Sequence, residues 1–137
     1  MLTFGLGLSG ITHGVIDCAI ILQGAAGLSQ IVIRAGETPV LRFIFTDDSG
    51  PVDVSGGSFR LVVAASDRAS EVLLDVSNQF DTSQAAQGVI IRRLSASETI
   101  SMGAGERHLQ IHGVLPSGHV VTNREDVVMV IRPSLIP

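Results

Sequence analysis

The side chains of this 137-residue chain that could carry chemistry are four histidines, one cysteine and a short cluster of aspartates. His108 and His112 have the four-residue spacing of a zinc pair on a helix. On a strand the same spacing puts them roughly 13 Å apart, too far to share one ion. His119 lies beyond a turn from His112, in a register the sequence leaves open. His108, Gln110 and His112 therefore read as a polar stripe on an exposed or subunit-facing strand, and no metal site is predicted. Asp47, Asp48 and Asp53 supply oxygen ligands suited to calcium, but their spacing misses the calcium-loop pattern, and Asp48-Ser49-Gly50-Pro51 is turn chemistry.

Cys18 sits in an apolar run and reads as a buried, inert thiol. As the only cysteine it leaves no intrachain disulfide. Ser, His and Asp are all present, yet no serine sits in a nucleophile-elbow pattern. Gly5-Leu6-Gly7-Leu8-Ser9-Gly10 spells the dinucleotide fingerprint. That motif needs a strand before it and a helix after it, and only four residues precede Gly5. Arg92-Arg93 reads as a solvated basic pair. No catalytic residue, cofactor or small-molecule substrate is predicted, and the chain is expected not to be an enzyme.

The elements that hold these residues are strands. Apolar side chains alternate at 41, 43 and 45 and again at 59, 61 and 63. Further short runs fall at 71–76, 89–93, 108–115, 119–122 and 127–131. Pro116-Ser117-Gly118 marks a hairpin. Ser95-Ala96-Ser97-Glu98 is a capping box and predicts one short helical turn over 95–100. Turn signals every ten or so residues argue for a β-sandwich.

Composition narrows the function. Hydrophobic residues are 45% of the chain, charged residues 16%, and the net charge is −4. All nine basic residues are arginine. Nothing gives the basic footprint of a nucleic-acid binder. Without Trp or Tyr, a ligand that stacks on aromatic rings is disfavoured. The longest apolar run, 15–22, is interrupted by Asp17 and is far short of the ~20 residues of a spanning helix.

Residues 1–30 differ from the rest in having no basic residue and many glycines. Two period-two faces stand out there, one of Phe4, Leu6 and Leu8 and one of Ile16, Cys18, Ile20 and Leu22. The reading adopted makes 1–30 an extended apolar arm and 31–137 the sandwich. Phe4, Leu6, Leu8, Ile16, Ile20 and Leu22 are then the predicted assembly interface, docked on a neighbouring subunit or partner. The rival is that 15–22 forms the first strand of the chain's own sandwich.

The order of features from Arg34 to Pro133 carries a resemblance. Gly36-Glu37-Thr38 precedes a strand ending in Phe45, followed by the turn Asp48-Ser49-Gly50-Pro51-Val52-Asp53 and then Val54-Ser55-Gly56. A strand at 59–63 leads by a long connection to Gly88-Val89-Ile90-Ile91, then Leu94 and the turn with Glu98. A strand at 107–111, the Ser117-Gly118 hairpin and a closing strand to Arg132-Pro133 complete it. This layout resembles the immunoglobulin-like N-terminal module of phage baseplate upper proteins and related tail and fibre modules. The resemblance implies an all-β, immunoglobulin-like antiparallel sandwich that serves as a virion structural protein. It implies homo-oligomerisation and attachment to other virion proteins in the neck, baseplate, spike or fibre region, without nucleic-acid or membrane contact. The alternative is a secreted bacterial surface or adhesion domain with a signal peptide at the N-terminus.

Overall fold

The computed structural model describes residues 15–24, 30–66 and 68–136. Ten strands are described: β1 (Asp17–Leu22), β2 (Gln30–Arg34), β3 (Val40–Asp47), β4 (Gly50–Pro51), β5 (Ser58–Ala64), β6 (Val72–Val76), β7 (Val89–Arg93), β8 (Gly105–Val114), β9 (Val120–Thr122) and β10 (Val127–Arg132). One α-helix is described, α1 (Ala96–Met102), and it links β7 to β8.

The strands form two sheets. In the smaller, β3 is central, with β1 on one side and β7 and β4 on the other. The larger runs β2-β10-β8-β5-β6, and β9 pairs with the far end of β8. The chain thus places β1 and β3 in one sheet, β5 and β6 in the other, β7 back in the first and β8 and β10 back in the second. This connectivity is that of an immunoglobulin-like sandwich. One pairing departs from the antiparallel expectation: β2 runs parallel to the closing strand β10, with Ile31 beside Met129 and Ile33 beside Ile131.

Alternation decides what is buried. Leu41, Phe43 and Phe45 of β3 face Leu61 and Val63 of β5 within one core, and all five are fully buried. Phe59 and Phe80 join Phe43 and Phe45, with ring centroids 5.7–6.2 Å apart. These tilted and edge-on contacts add to the area the rings bury. Gly88 permits the close approach of β7 to β3. Its φ is +81°, and a Cβ there would lie 2.8 Å from the carbonyl oxygens of Phe45 and Val52.

The boundary expected at residue 30 is corrected. β1 pairs with β3 from Asp17 opposite Thr46 to Leu22 opposite Leu41. Ile16, Cys18 and Ile20 are 3–5% exposed, and Leu22 packs half-buried against the same core. Ile16, Ile20 and Leu22 are therefore core residues of this chain rather than an assembly interface. Without β1, one edge of β3 would be bare and the core side of Phe43 and Phe45 open to water. The period-two face closes that gap. Phe4, Leu6 and Leu8, and the Gly5–Gly10 fingerprint, lie outside the described residues.

Candidate functional surfaces

The outer face of the larger sheet carries a shallow groove of about 890 Å³. β5 contributes Arg60 and Val62, β6 contributes Asp75, and β8 contributes His108, Gln110 and His112. The loop from Asn123 to Asp126 forms one wall. The predicted polar stripe is thus one side of this groove. Two pairs of its charged groups meet. Arg60 donates to both oxygens of Asp75 at 2.7 and 2.5 Å. This holds the Asp75 carboxyl below, and the Arg60 guanidinium above, the usual range. Both side chains are about half exposed, so the pair adds little to stability.

His108 Nδ1 lies 3.1 Å from both carboxylate oxygens of Asp126. A His–carboxylate pair is two-thirds of a catalytic triad, but no hydroxyl or thiol is hydrogen-bonded to His108 among the described residues. β8 is extended from Gly105 to Val114, which separates His108 from His112. His112 sits opposite Thr122 in the hairpin, three residues beyond His119. Among the described residues, no three His, Cys, Asp or Glu side chains come together so as to hold a metal ion.

The other residues singled out have structural partners. Asp53 Oδ1 accepts from the Ser55 amide at 2.9 Å, and Asp47 Oδ1 accepts from the Ser49 amide at 2.8 Å. Hydrogen bonds from Ser55, side chain first and then backbone, hold the Asp53 carboxyl below its usual value. Cys18 is buried, and its Sγ contacts the Ala19 carbonyl at 3.6 Å. Burial first, and the Asp17 charge second, push its thiol far above the ordinary range, so it stays protonated at neutral pH.

Arg92 is a correction. It was expected in solvent beside Arg93, but it is 1% exposed. Its guanidinium donates to Glu98 Oε1 at 2.8 Å and Oε2 at 3.0 Å, and to the Asn78 carbonyl at 2.9 Å. Glu98 also accepts from the Ser95 amide at 2.8 Å, while Ser95 Oγ accepts from the Glu98 amide at 3.1 Å. One carboxylate thus caps α1 and neutralises a buried cation, and Arg92 holds the Glu98 carboxyl below its ordinary value. The signal was available: Arg92 has the inward parity of Ile90 and Leu94, both fully buried.

Asn123 was not singled out, and composition gives no sign of its role. Its Oδ1 accepts from the Ile111 amide at 2.9 Å, and its Nδ2 donates to the carbonyls of Leu109 and Glu125. One side chain stands in for the ladder where β9 gives way to β10 along the edge of β8.

The outer face of the smaller sheet is different in kind. Register places Ile21, Arg42 and Ile91 in one row across β1, β3 and β7, and Ala19, Ile44 and Val89 in the next. Ala19 is exposed, Ile21, Ile44 and Ile91 are half-buried, and Val89 is 8% exposed. Arg42 lies among them, and its Nε is the one buried side-chain polar atom without a hydrogen-bond partner among the described residues.

No protein-family model and no curated protein sequence matches the chain. Among solved structures, it is similar to CopC from Methylosinus trichosporium OB3b, at 13% identity and TM-score 0.45, over 83% of this chain and 94% of that one. It is similar to the fibronectin(III)-like modules of Clostridium thermocellum CbhA, at 11% identity and TM-score 0.45, over 90% of this chain and 50% of that one. The soluble domain of PmoD from Methylocystis sp. gives 8% identity and TM-score 0.45, over 85% and 90% of the two chains. These are likenesses of strand arrangement, and the immunoglobulin-like assignment rests on the connectivity described above.

Proposed function

We propose that this chain is a non-catalytic assembly module, and that it serves as a virion structural protein of a tailed phage or phage-like particle. The observation that supports the assembly part is the outer face of the smaller sheet. A strand face normally alternates apolar-in and polar-out when its outside is wet. Here Ala19 and the half-buried Ile21, Ile44 and Ile91 face outward around Arg42. In the groove on the opposite side, Arg60 pairs with Asp75 and His108 with Asp126, and no nucleophile accompanies His108 among the described residues. The virion part rests on the layout of strands and turns from Arg34 to Pro133 in the sequence.

Proteomics of intact particles, after cross-linking, tests the whole reading. The expected result is this chain in fixed stoichiometry, cross-linked to other structural proteins of the particle. Recovery only from a secreted or cell-surface fraction, with a processed N-terminus, would overturn the virion reading in favour of an adhesion domain.

A further inference from the structure

We infer that the outer face of the smaller sheet is a self-complementary surface, on which two copies of this chain stack face to face. The inference deepens the assembly reading and names the partner for one surface. Two observations carry it.

The first is the orphan Arg42. Its stem lies between Ile21 and Ile91, its cross-strand neighbours on either side. Its Nε is buried with no acceptor among the described residues. A desolvated donor of this kind is costly unless an acceptor meets it, and an arginine within an apolar surround is the usual make-up of a binding hot spot.

The second is the placement of charge along the strands. Taking the row of Ala19, Ile44 and Val89 as the middle, Arg42 stands one row to one side, and Arg93 two rows to the same side. Asp17, opposite Thr46, stands one row to the other side, and the Asp48 turn lies beyond it. Asp81, which pairs with Ile91 at the far edge of β7, shares the Arg42 row, so one end carries two cations and one carboxylate, the other carries Asp17 and Asp48, and aliphatic side chains lie between them.

Of the two-fold axes that can lie between two such faces, the limiting ones run along and across the strands. An axis along the strands sets Arg42 on Arg42 and is repulsive. An axis across the strands at Ile44 reverses the strand direction of the partner. Arg42 then lies over the partner's Thr46 row, beside the carboxylate of its Asp17, and Arg93 reaches toward the end that carries its Asp48. Both contacts occur twice, as an isologous pair requires. Ile44 meets its own counterpart on the axis.

The face is small. Three strands about 4.8 Å apart, over some seven residues, offer roughly 300–400 Å² per copy, below the ~800 Å² of a standard interface. The pair is therefore weak in dilute solution and gains from the high local concentration of a particle or from a second contact.

Sedimentation of the full chain over a concentration series at low salt tests the pair. The expected result is a reversible dimer, weakened about tenfold or more by Arg42→Glu and by Asp17→Arg, and restored when the two substitutions are combined. Asp17 also accepts from the Arg124 amide at 2.9 Å, so a second variant is needed that leaves it intact. Ile44→Cys, treated with oxidised glutathione while folded, is expected to give a disulfide-linked dimer much faster than Ser97→Cys, an exposed control on α1. A wild type that stays monomeric throughout the series overturns the inference. So does a dimer indifferent to Arg42→Glu, failure of the combined variant to restore it, or an Ile44→Cys no faster than its control. A monomer that still occupies a particle would sink the pair and leave the assembly reading standing. A dimer found in no particle would do the reverse.

Discussion

Glu98 is the position at which one atom change tests most of the structural argument. Glu98→Gln keeps the size of the side chain and much of the helix cap, but removes the charge opposite Arg92. The Arg92 side chain is 1% exposed and that of Glu98 19%, so the pair is largely shielded from water. Removing one partner of a buried ion pair costs about 3–5 kcal/mol because the other charge stays buried. Glu98 keeps some contact with solvent, and Arg92 keeps its Asn78 and Arg93 carbonyl acceptors. The lower end, about 2–3 kcal/mol, is therefore expected, or roughly 6–12 °C in melting temperature for a chain of this size. The pH dependence gives a second reading. The folded Glu98 carboxyl lies below its ordinary 4.5, chiefly through the hydrogen bonds from Arg92. Its contribution is thus fully present above about pH 4.5 and is lost as pH falls through the lower folded value. Urea unfolding of wild type and Glu98→Gln at pH 7 and pH 3 checks both points. The deficit of the variant should be large at pH 7 and should shrink at pH 3. A deficit under about 1 kcal/mol at pH 7, or one that persists unchanged in acid, would refute the account of Arg92 as a buried cation neutralised by Glu98.

Other substitutions probe the remaining joints. Deleting residues 1–22 is expected to unfold the chain, since Ile16, Cys18 and Ile20 are core residues, whereas deleting 1–14 leaves every described strand in place; circular dichroism and thermal melts separate the outcomes. Asn123→Ala strands the Ile111 amide and the Leu109 carbonyl and should cost about 2–3 kcal/mol by urea titration, with little loss for the exposed Arg124→Ala. Gly88→Ala should destabilise by more than the ~1 kcal/mol of an ordinary left-handed glycine, because a Cβ would strike two carbonyl oxygens; equal stability would mean that β7 sits further from β3 than described. Cys18 should resist thiol reagents in the native protein and react promptly in urea, as followed by thiol titration.

Where a strand buries one face, the sequence shows it. The run at 89–93 matches β7 at both ends, and the capping box at 95–98 lands on the start of α1. Local chemistry suffices in both cases, because alternation and capping are decided within a few residues. The arm reading failed at Ile16, Ile20 and Leu22 for the opposite reason. A period-two apolar face looks the same whether it covers its own core or a neighbour's. Only the long-range pairing of β1 with β3 distinguishes them. The parallel pairing of β2 with β10 was likewise not legible, since its partners lie about a hundred residues apart in the chain. Arg92 was legible in principle: its parity with Ile90 pointed inward, and the expectation that arginine lies in water outweighed it. The polar stripe on β8 was read correctly as a stripe. That Asp126 comes to His108, and Asp75 to Arg60, depends on a loop and an edge strand that no local signal places.

The two outer faces show how one fold separates stability from contact. On the larger sheet Arg60 pairs with Asp75 and His108 with Asp126 within the chain. On the smaller sheet Arg42 is held between two isoleucines with its Nε unmet. Nothing in the core needs an arginine there, since Leu41 and Phe43 on either side already point inward and are fully buried. An aliphatic side chain at 42 would satisfy the sheet at lower desolvation cost. An acceptor arriving from outside would meet that Nε, and in the proposed pair the carboxylate that arrives is the Asp17 of the second copy.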